Sequence, residues 1–168
     1  MRKKEIDSRK DDSLKELFVK ELTDLLDETF HRTQGIYLDR GKDLFATLEG
    51  VSAEQASRPV SAGGSTIAGH VEHMRYYLEL LSSDIQGRQF GKVDWDVSWQ
   101  VKAVTPEEWT KLREELRSLY DRYIESVKTV EVWQGEDDLG ASLAILAHSA
   151  YHLGAIRQML ADVATEND

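Results

Sequence analysis

Five histidines occur in the 168 residues, and four of them form two close pairs, His70 with His73 and His148 with His152. In His148-Ser149-Ala150-Tyr151-His152 the four-residue spacing puts both imidazoles one helical turn apart on one side of a helix, where they can share an ion. That side also carries Ala141, Ile145, Ala155, Ile156 and Met159. Histidines on an inward apolar stripe each cost desolvation and an unmet hydrogen bond unless something there uses their lone pairs, and a divalent cation does so. The plainer reading makes them core histidines bonded to backbone or hydroxyl groups. The second pair weighs against it. His70 lies at the centre of a stripe formed by Ile67, Val71, Met74 and Leu78, with His73 on its flank beside Tyr77 and Leu80. Periodicity alone makes His70 the inward residue. Across a helical interface the two pairs supply three or four nitrogen donors, the number of a catalytic metal site that keeps positions open for water or substrate.

The chain contains no cysteine, so thiolate metal sites, iron–sulfur clusters, disulfides and a cysteine nucleophile are all excluded, and a metal must be held by His, Asp or Glu. The His148–His152 spacing resembles that of zinc-protease helices, but Ser149 stands where that motif has its glutamate, which rules the chemistry out. Glu72 adjoins His73 yet points about 100° away on a helix, so it is not the base. No general base is visible other than a metal-bound water or His70. Trp95, Trp99, Trp109 and Trp133 either wall a pocket or bury area, and Trp95 and Trp99 are the better pocket candidates because they belong to no helix. Tyr77 and Tyr151 lie within a turn of histidines and are placed to bond a ligand, or are core residues. His31 is expected to meet the last carbonyls of the first helix. Arg157, five residues after His152, is expected in a surface ion pair rather than at the site.

These side chains are positioned by helices. The stripe Leu14, Leu17, Phe18, Leu22, Leu25, Leu26 and Phe30 predicts a helix from Ser13 to about Arg32. Leu44, Phe45 and Leu48 resume the period after Gly35 and Gly41, as one interrupted helix or a second one. Residues 52–64 read as a connection with one helical turn. Ser65 or Thr66 caps a helix reaching about Gln86, and residues 87–103 form a long connection, of a length usually functional. Thr105-Pro106-Glu107-Glu108 is a capping box opening the clearest helix, with Trp109, Leu112, Leu116, Leu119, Tyr120, Tyr123 and Val127 on its stripe. After a polar connection, Leu139 to about Val163 is helical and, being weakly charged, is expected to be the most buried. No segment alternates with a period of two. The fold class is all-α, a helical bundle of four or five helices.

A chain of this length with 40% hydrophobic residues makes one domain, residues 13–168, after a charged leader at 1–12 that is expected to fray. Lys plus Arg is 21 and Asp plus Glu is 31, a net charge of −10 that argues against a nucleic-acid partner. Neither a membrane span nor a secretory signal is expected, which makes the cytosol the address.

The runs Ser65-Thr66-Ile67-Ala68-Gly69-His70-Val71-Glu72-His73-Met74 and His148-Ser149-Ala150-Tyr151-His152-Leu153-Gly154-Ala155-Ile156-Arg157-Gln158, with the Trp-containing link into Thr105-Pro106-Glu107-Glu108-Trp109, resemble the DinB-like family over roughly residues 34–164. The resemblance implies a four-helix bundle of up-down-down-up topology, here with an N-terminal helical extension. It implies one divalent ion, Ni²⁺ or Zn²⁺, on one second-helix histidine and the two of the last helix. Counting seven residues from the opening Thr66 assigns His73, with His148 and His152, as ligands. His70 then stands behind a ligand and supports it, faces the substrate, acts as a base, or is a fourth ligand. Ser65 stands where the family often has tryptophan. Family members with assigned activity resemble transferases and isomerases that depend on low-molecular-weight thiols, so the resemblance implies a metal-dependent thiol S-transferase or hydrolase with a small-molecule substrate. The other class of function is a helical module that binds metal or a small ligand for stability or sensing and catalyses nothing. Pairing through helices in the family, together with the wide first stripe, implies a homodimer.

Overall fold

The computed structural model describes the backbone of residues 2–39, 41–85, 88, 91–131, 133 and 136–165, and within these the side chains of 13–162 except 84, 136 and 137. The described residues form six α-helices and no strand: α1 Arg2–Phe30, α2 Leu44–Glu49, α3 Ala53–Ala56, α4 Ile67–Ile85, α5 Pro106–Thr129 and α6 Ala141–Thr165. The all-α class is as expected from periodicity. Helix α5 has the predicted start. Thr105 Oγ1 accepts from the Glu108 N–H at 3.2 Å, and the Glu108 carboxylate accepts from the Thr105 N–H at 2.8 Å. Its buried side is the stripe named above.

Helix α1 departs from expectation at its start. Its backbone is helical from Arg2 rather than Ser13, and Leu14 and Leu17 are 66% and 54% exposed. The stripe is buried only from Leu22 onward. The reason is the extent of its neighbours: Lys15 Nζ donates to the Glu131 carbonyl and Phe18 meets Trp133 edge-on, and both partners lie in the connection just before α6.

After α1 the chain turns on a buried carboxylate that sequence reading missed. Glu28 is fully buried and accepts N–H bonds from Gln34, Ile36 and Tyr37 at 3.0, 2.9 and 2.8 Å, and from Gly35. Burial opposes its ionisation, but these four amides together hold its carboxyl below the usual range. Gly35 and Gly41 have positive φ, and a Cβ at Gly41 would overlap the Arg157 guanidinium. The stretch from Leu44 is thus a separate short helix, capped by Asp43, whose Oδ1 accepts from Ala46 N–H at 2.9 Å.

The link between α4 and α5 runs back along α4. The Asp94 N–H donates to the Tyr76 hydroxyl, Trp95 meets Tyr77, and Trp99, in a tight turn spanning Val97–Trp99, stacks on His73. Val101 reaches Gly69, and the Val104 N–H donates to Ser57 Oγ at 2.9 Å. Gly69 makes this possible, since a Cβ there would stand 2.9 Å from the Val101 carbonyl oxygen. Thr66, rather than Ser65, caps α4, accepting from the Gly69 N–H at 3.1 Å.

Helix α4, not α6, is the most buried. None of its described residues is exposed, because α5, α6 and the returning link all pack on it. Its charged residues are covered by pairing: Arg75 donates to both oxygens of Glu72 at 2.8 Å and to Glu79 at 2.9 Å. Helix α6 is weakly charged yet leaves Leu143 and Tyr151 47% and 68% exposed. The helical stretch Asp138–Asp162, which begins in the turn just before α6, is also long and apolar enough to cross a membrane by length and composition, which amends the expected absence of any such stretch; core helices share the property.

Candidate metal centre

One turn of α4 and one turn of α6 bring four imidazoles together. His73, His148 and His152 present ring nitrogens that all lie within 4.8 Å of one another, close enough for the three to hold a metal ion. The ring centroids are 5.0 Å apart for His73 and His148, 5.1 Å for His73 and His152, and 4.4 Å for His148 and His152. His73 and His152 are buried and His148 half-buried. Among the described residues this group contains no carboxylate. Glu72 is committed to Arg75, in keeping with its expected turn away from His73.

The local chemistry leaves lone pairs unused. Nε2 of His148 and Nε2 of His152 are buried without a hydrogen-bond partner. An unmet buried polar atom costs about 1–3 kcal/mol, so two on adjacent turns are a standing destabilisation that a cation would relieve. Burial, reinforced by neighbouring imidazoles, pushes His148 down to about 4 and His152 down to about 3; burial also lowers His70 and His73. All four rings are therefore neutral near pH 7, the state in which a ring nitrogen donates to a metal. Neutral imidazole donors suit a borderline ion such as zinc or nickel better than calcium or magnesium.

The rings are held by stacking and hydrogen bonds. Tyr77 lies flat on His148 with centroids 3.7 Å apart and planes 13° from parallel. Trp99 stacks on His73 at 4.2 Å and 20°. His73 Nδ1 is 2.7 Å from Ser98 Oγ, and His70 Nδ1 is 2.7 Å from His152 Nδ1, while His70 Nε2 is 3.0 Å from Ser65 Oγ. Both ring nitrogens of His70 are thus engaged. His70 and His73 are equally buried, at 7% exposure, so burial does not separate the stripe's choice from the motif's. Geometry does, by placing His73 in the converging trio and His70 behind it.

Of the other singled-out residues, Trp95 and Trp99 stand at the site and Tyr151 meets His152 edge-on at 5.0 Å. Trp109 does not: it is buried with its Nε1 donating to the Val51 carbonyl at 2.8 Å, and Trp133 packs on Phe18. His31 is not a carbonyl cap as expected; its Nε2 faces Asp121 at 3.7 Å, with its ring against Phe45 and Tyr120, because α1 ends one residue earlier and the ring turns toward α5. Arg157 lies against Gly41, away from the trio. Sequence reading missed Ser98 as a partner of His73 and saw Ser65 only as a cap. A mid-helix glycine at 69 was the one signal that another chain segment approaches there. Comparisons with family models, with curated proteins and with solved structures return no match.

Proposed function

We propose that this chain is a metal-dependent enzyme of DinB-like kind, in which His73, His148 and His152 hold one Ni²⁺ or Zn²⁺ and act on a small molecule in the cytosol. The observation that carries the reading is the pair of buried, partnerless Nε2 atoms on His148 and His152, converging with His73. The architecture we infer is an up-down-down-up four-helix bundle of α1, α4, α5 and α6. Support comes from the link that returns antiparallel to α4, so that α5 starts where α4 starts. It also comes from α1, which meets the chain before α6 at Lys15 and Phe18, and from the turn after α1, where Gly41 lies against Arg157 in the body of α6.

When bound, such an ion supplies Lewis acidity, lowering the pKa of a thiol or water in an open position. The chain's own residues do the rest. Three neutral rings leave the ion's positive charge uncompensated, and the absence of a carboxylate donor among them keeps it so. Tyr77 and Trp99 hold His148 and His73 in fixed planes, and Trp95, 44% exposed, stands beside them at the solvent edge. A low-molecular-weight thiol as co-substrate needs no cationic pocket of its own if its sulfur is recognised by the ion, and an electrophilic acceptor or water completes an S-transferase or hydrolase. A homodimer is part of the same reading, through the exposed apolar residues of α1 and α6.

The test is to measure metal content in untagged protein, then thiol consumption with an electrophilic acceptor and hydrolysis across a panel, with His148→Ala as control. Stoichiometric metal with turnover above the variant is expected. Stoichiometric metal with no turnover above it would leave a binding module that catalyses nothing.

A further inference from the structure

Behind the converging rings stand two serines to which the proposed chemistry gives no part. Ser98 Oγ donates its one hydrogen to the Trp95 carbonyl at 2.7 Å. It must therefore accept in its 2.7 Å contact with His73, so His73 carries its proton on Nδ1 and its lone pair on Nε2. The second chain is longer. His152 Nδ1 and His70 Nδ1 are 2.7 Å apart, so one holds a hydrogen and the other a lone pair. If His70 were the donor, neutral His152 would carry its one ring hydrogen on Nε2, buried and without an acceptor. If His152 is the donor, its Nε2 has a free lone pair, His70 Nδ1 accepts, and His70 Nε2–H donates to Ser65 Oγ at 3.0 Å. Only the second arrangement is compatible with a cation at the trio.

We propose that Ser98 and the His70–Ser65 pair are positioning residues that fix the tautomers of His73 and His152, so that both present Nε2 lone pairs to the ion while His70 stays outside its coordination. The inference rests on the metal reading above. It divides the four clustered histidines into three donors and one orienting acceptor. It also gives a role to two serines, Ser65 just before α4 and Ser98 in the returning link. A ligand's outer hydrogen-bond partner is typically worth about 10–100-fold in metal affinity.

Cobalt(II) is the probe, added to the untagged full chain. Affinity is read by chelator competition, and the donor set by the visible spectrum and X-ray absorption of the saturated protein. His70→Leu and Ser98→Ala are expected to weaken binding by about 10–100-fold. His70→Asn is expected to bind nearly as wild type, because its amide oxygen takes the place of Nδ1 as acceptor, and Ser98→Thr likewise. The spectrum at saturation should match wild type in all four. Wild-type affinity in both His70→Leu and Ser98→Ala would overturn the proposal. So would loss of one nitrogen donor in His70→Leu, which would make His70 a ligand, or His70→Asn binding as weakly as His70→Leu. If the wild type itself takes up no cobalt, the metal reading falls first; if it binds one ion and the variants do not differ, only the positioning role falls.

Discussion

Two aromatic clusters in this molecule are built alike and differ in what they leave undone. In one, Phe30 stacks on Tyr120 with centroids 4.4 Å apart, and Phe45 stands at 5.6 Å from Phe30 and 5.8 Å from Tyr120. In the other, Tyr77 stacks on His148 and Trp99 on His73 at similar spacings. The first packs Phe30, Phe45 and Tyr120 at near-complete burial with no buried, partnerless polar atom on these three rings, and stabilises the fold by excluding water. The second buries ring nitrogens that find no partner in the protein, and so costs stability in proportion to how well it is arranged for a ligand. The contrast teaches that ring packing alone does not mark a site. Unmet ring nitrogens that converge with a third imidazole from another helix do, whereas the lone partnerless Nε1 of Trp133, packed edge-on to Phe18, does not.

The contrast is broken most severely at the Phe30 cluster. Phe30→Ala should cost about 3–5 kcal/mol of stability by cavity formation, read from denaturant unfolding, while leaving cobalt affinity as in wild type. Loss of metal binding in a variant that still folds would show the two clusters to be energetically one. Next in size is the response to metal. Zinc at 100 times its Kd should stabilise the wild type by about 2.7 kcal/mol, and His148→Leu should lose that response while its metal-free form is no less stable, since an unmet buried nitrogen has been removed.

How much of this was legible from the chain is uneven, and for physical reasons. The capping box at Thr105 and the stripe of α5 are local, and local signals survive folding. The histidine pairs were legible because four-residue spacing fixes their relative placement on a helix whatever packs on it. Burial of whole helices was not, because lack of charge does not by itself measure burial. Helix α6 tolerates exposed Leu143 and Tyr151, whereas α4 largely covers Glu72 and Arg75 by pairing them, with Glu79 closing the pair on the solvent side. Glu28 was illegible for a related reason. A glutamate near a helix end looks like solvated charge until four amides of the following turn close on it. Ser98 carries no sequence mark at all, since its role depends on a link that runs back along α4.

Acid sharpens the same comparison. His148 and His152 bind protons only near 4 and 3 in the folded state, against about 6.5 when unfolded. Above about pH 6.5 neither state holds these protons and the stability is fully present. As pH falls below that, the unfolded chain takes up protons that the fold refuses, so metal-free stability declines down to about pH 3. Denaturant midpoints across this range should show the decline in wild type and a shallower one in His148→Leu; equal slopes would remove His148 from the account. Smallest is the cap of α5, whose side-chain bonds are to Glu108: Thr105→Ala should cost about 1 kcal/mol and leave metal affinity unchanged.

The central claim is that one cation joins α4 to α6 through three imidazoles. Zinc titration into untagged, metal-free protein, followed by elemental analysis after dialysis, tests it most directly. The account predicts one ion per chain in the wild type and background levels in each of His73→Ala, His148→Ala and His152→Ala. Background zinc in the wild type, or stoichiometric zinc retained in any of the three variants, would contradict it.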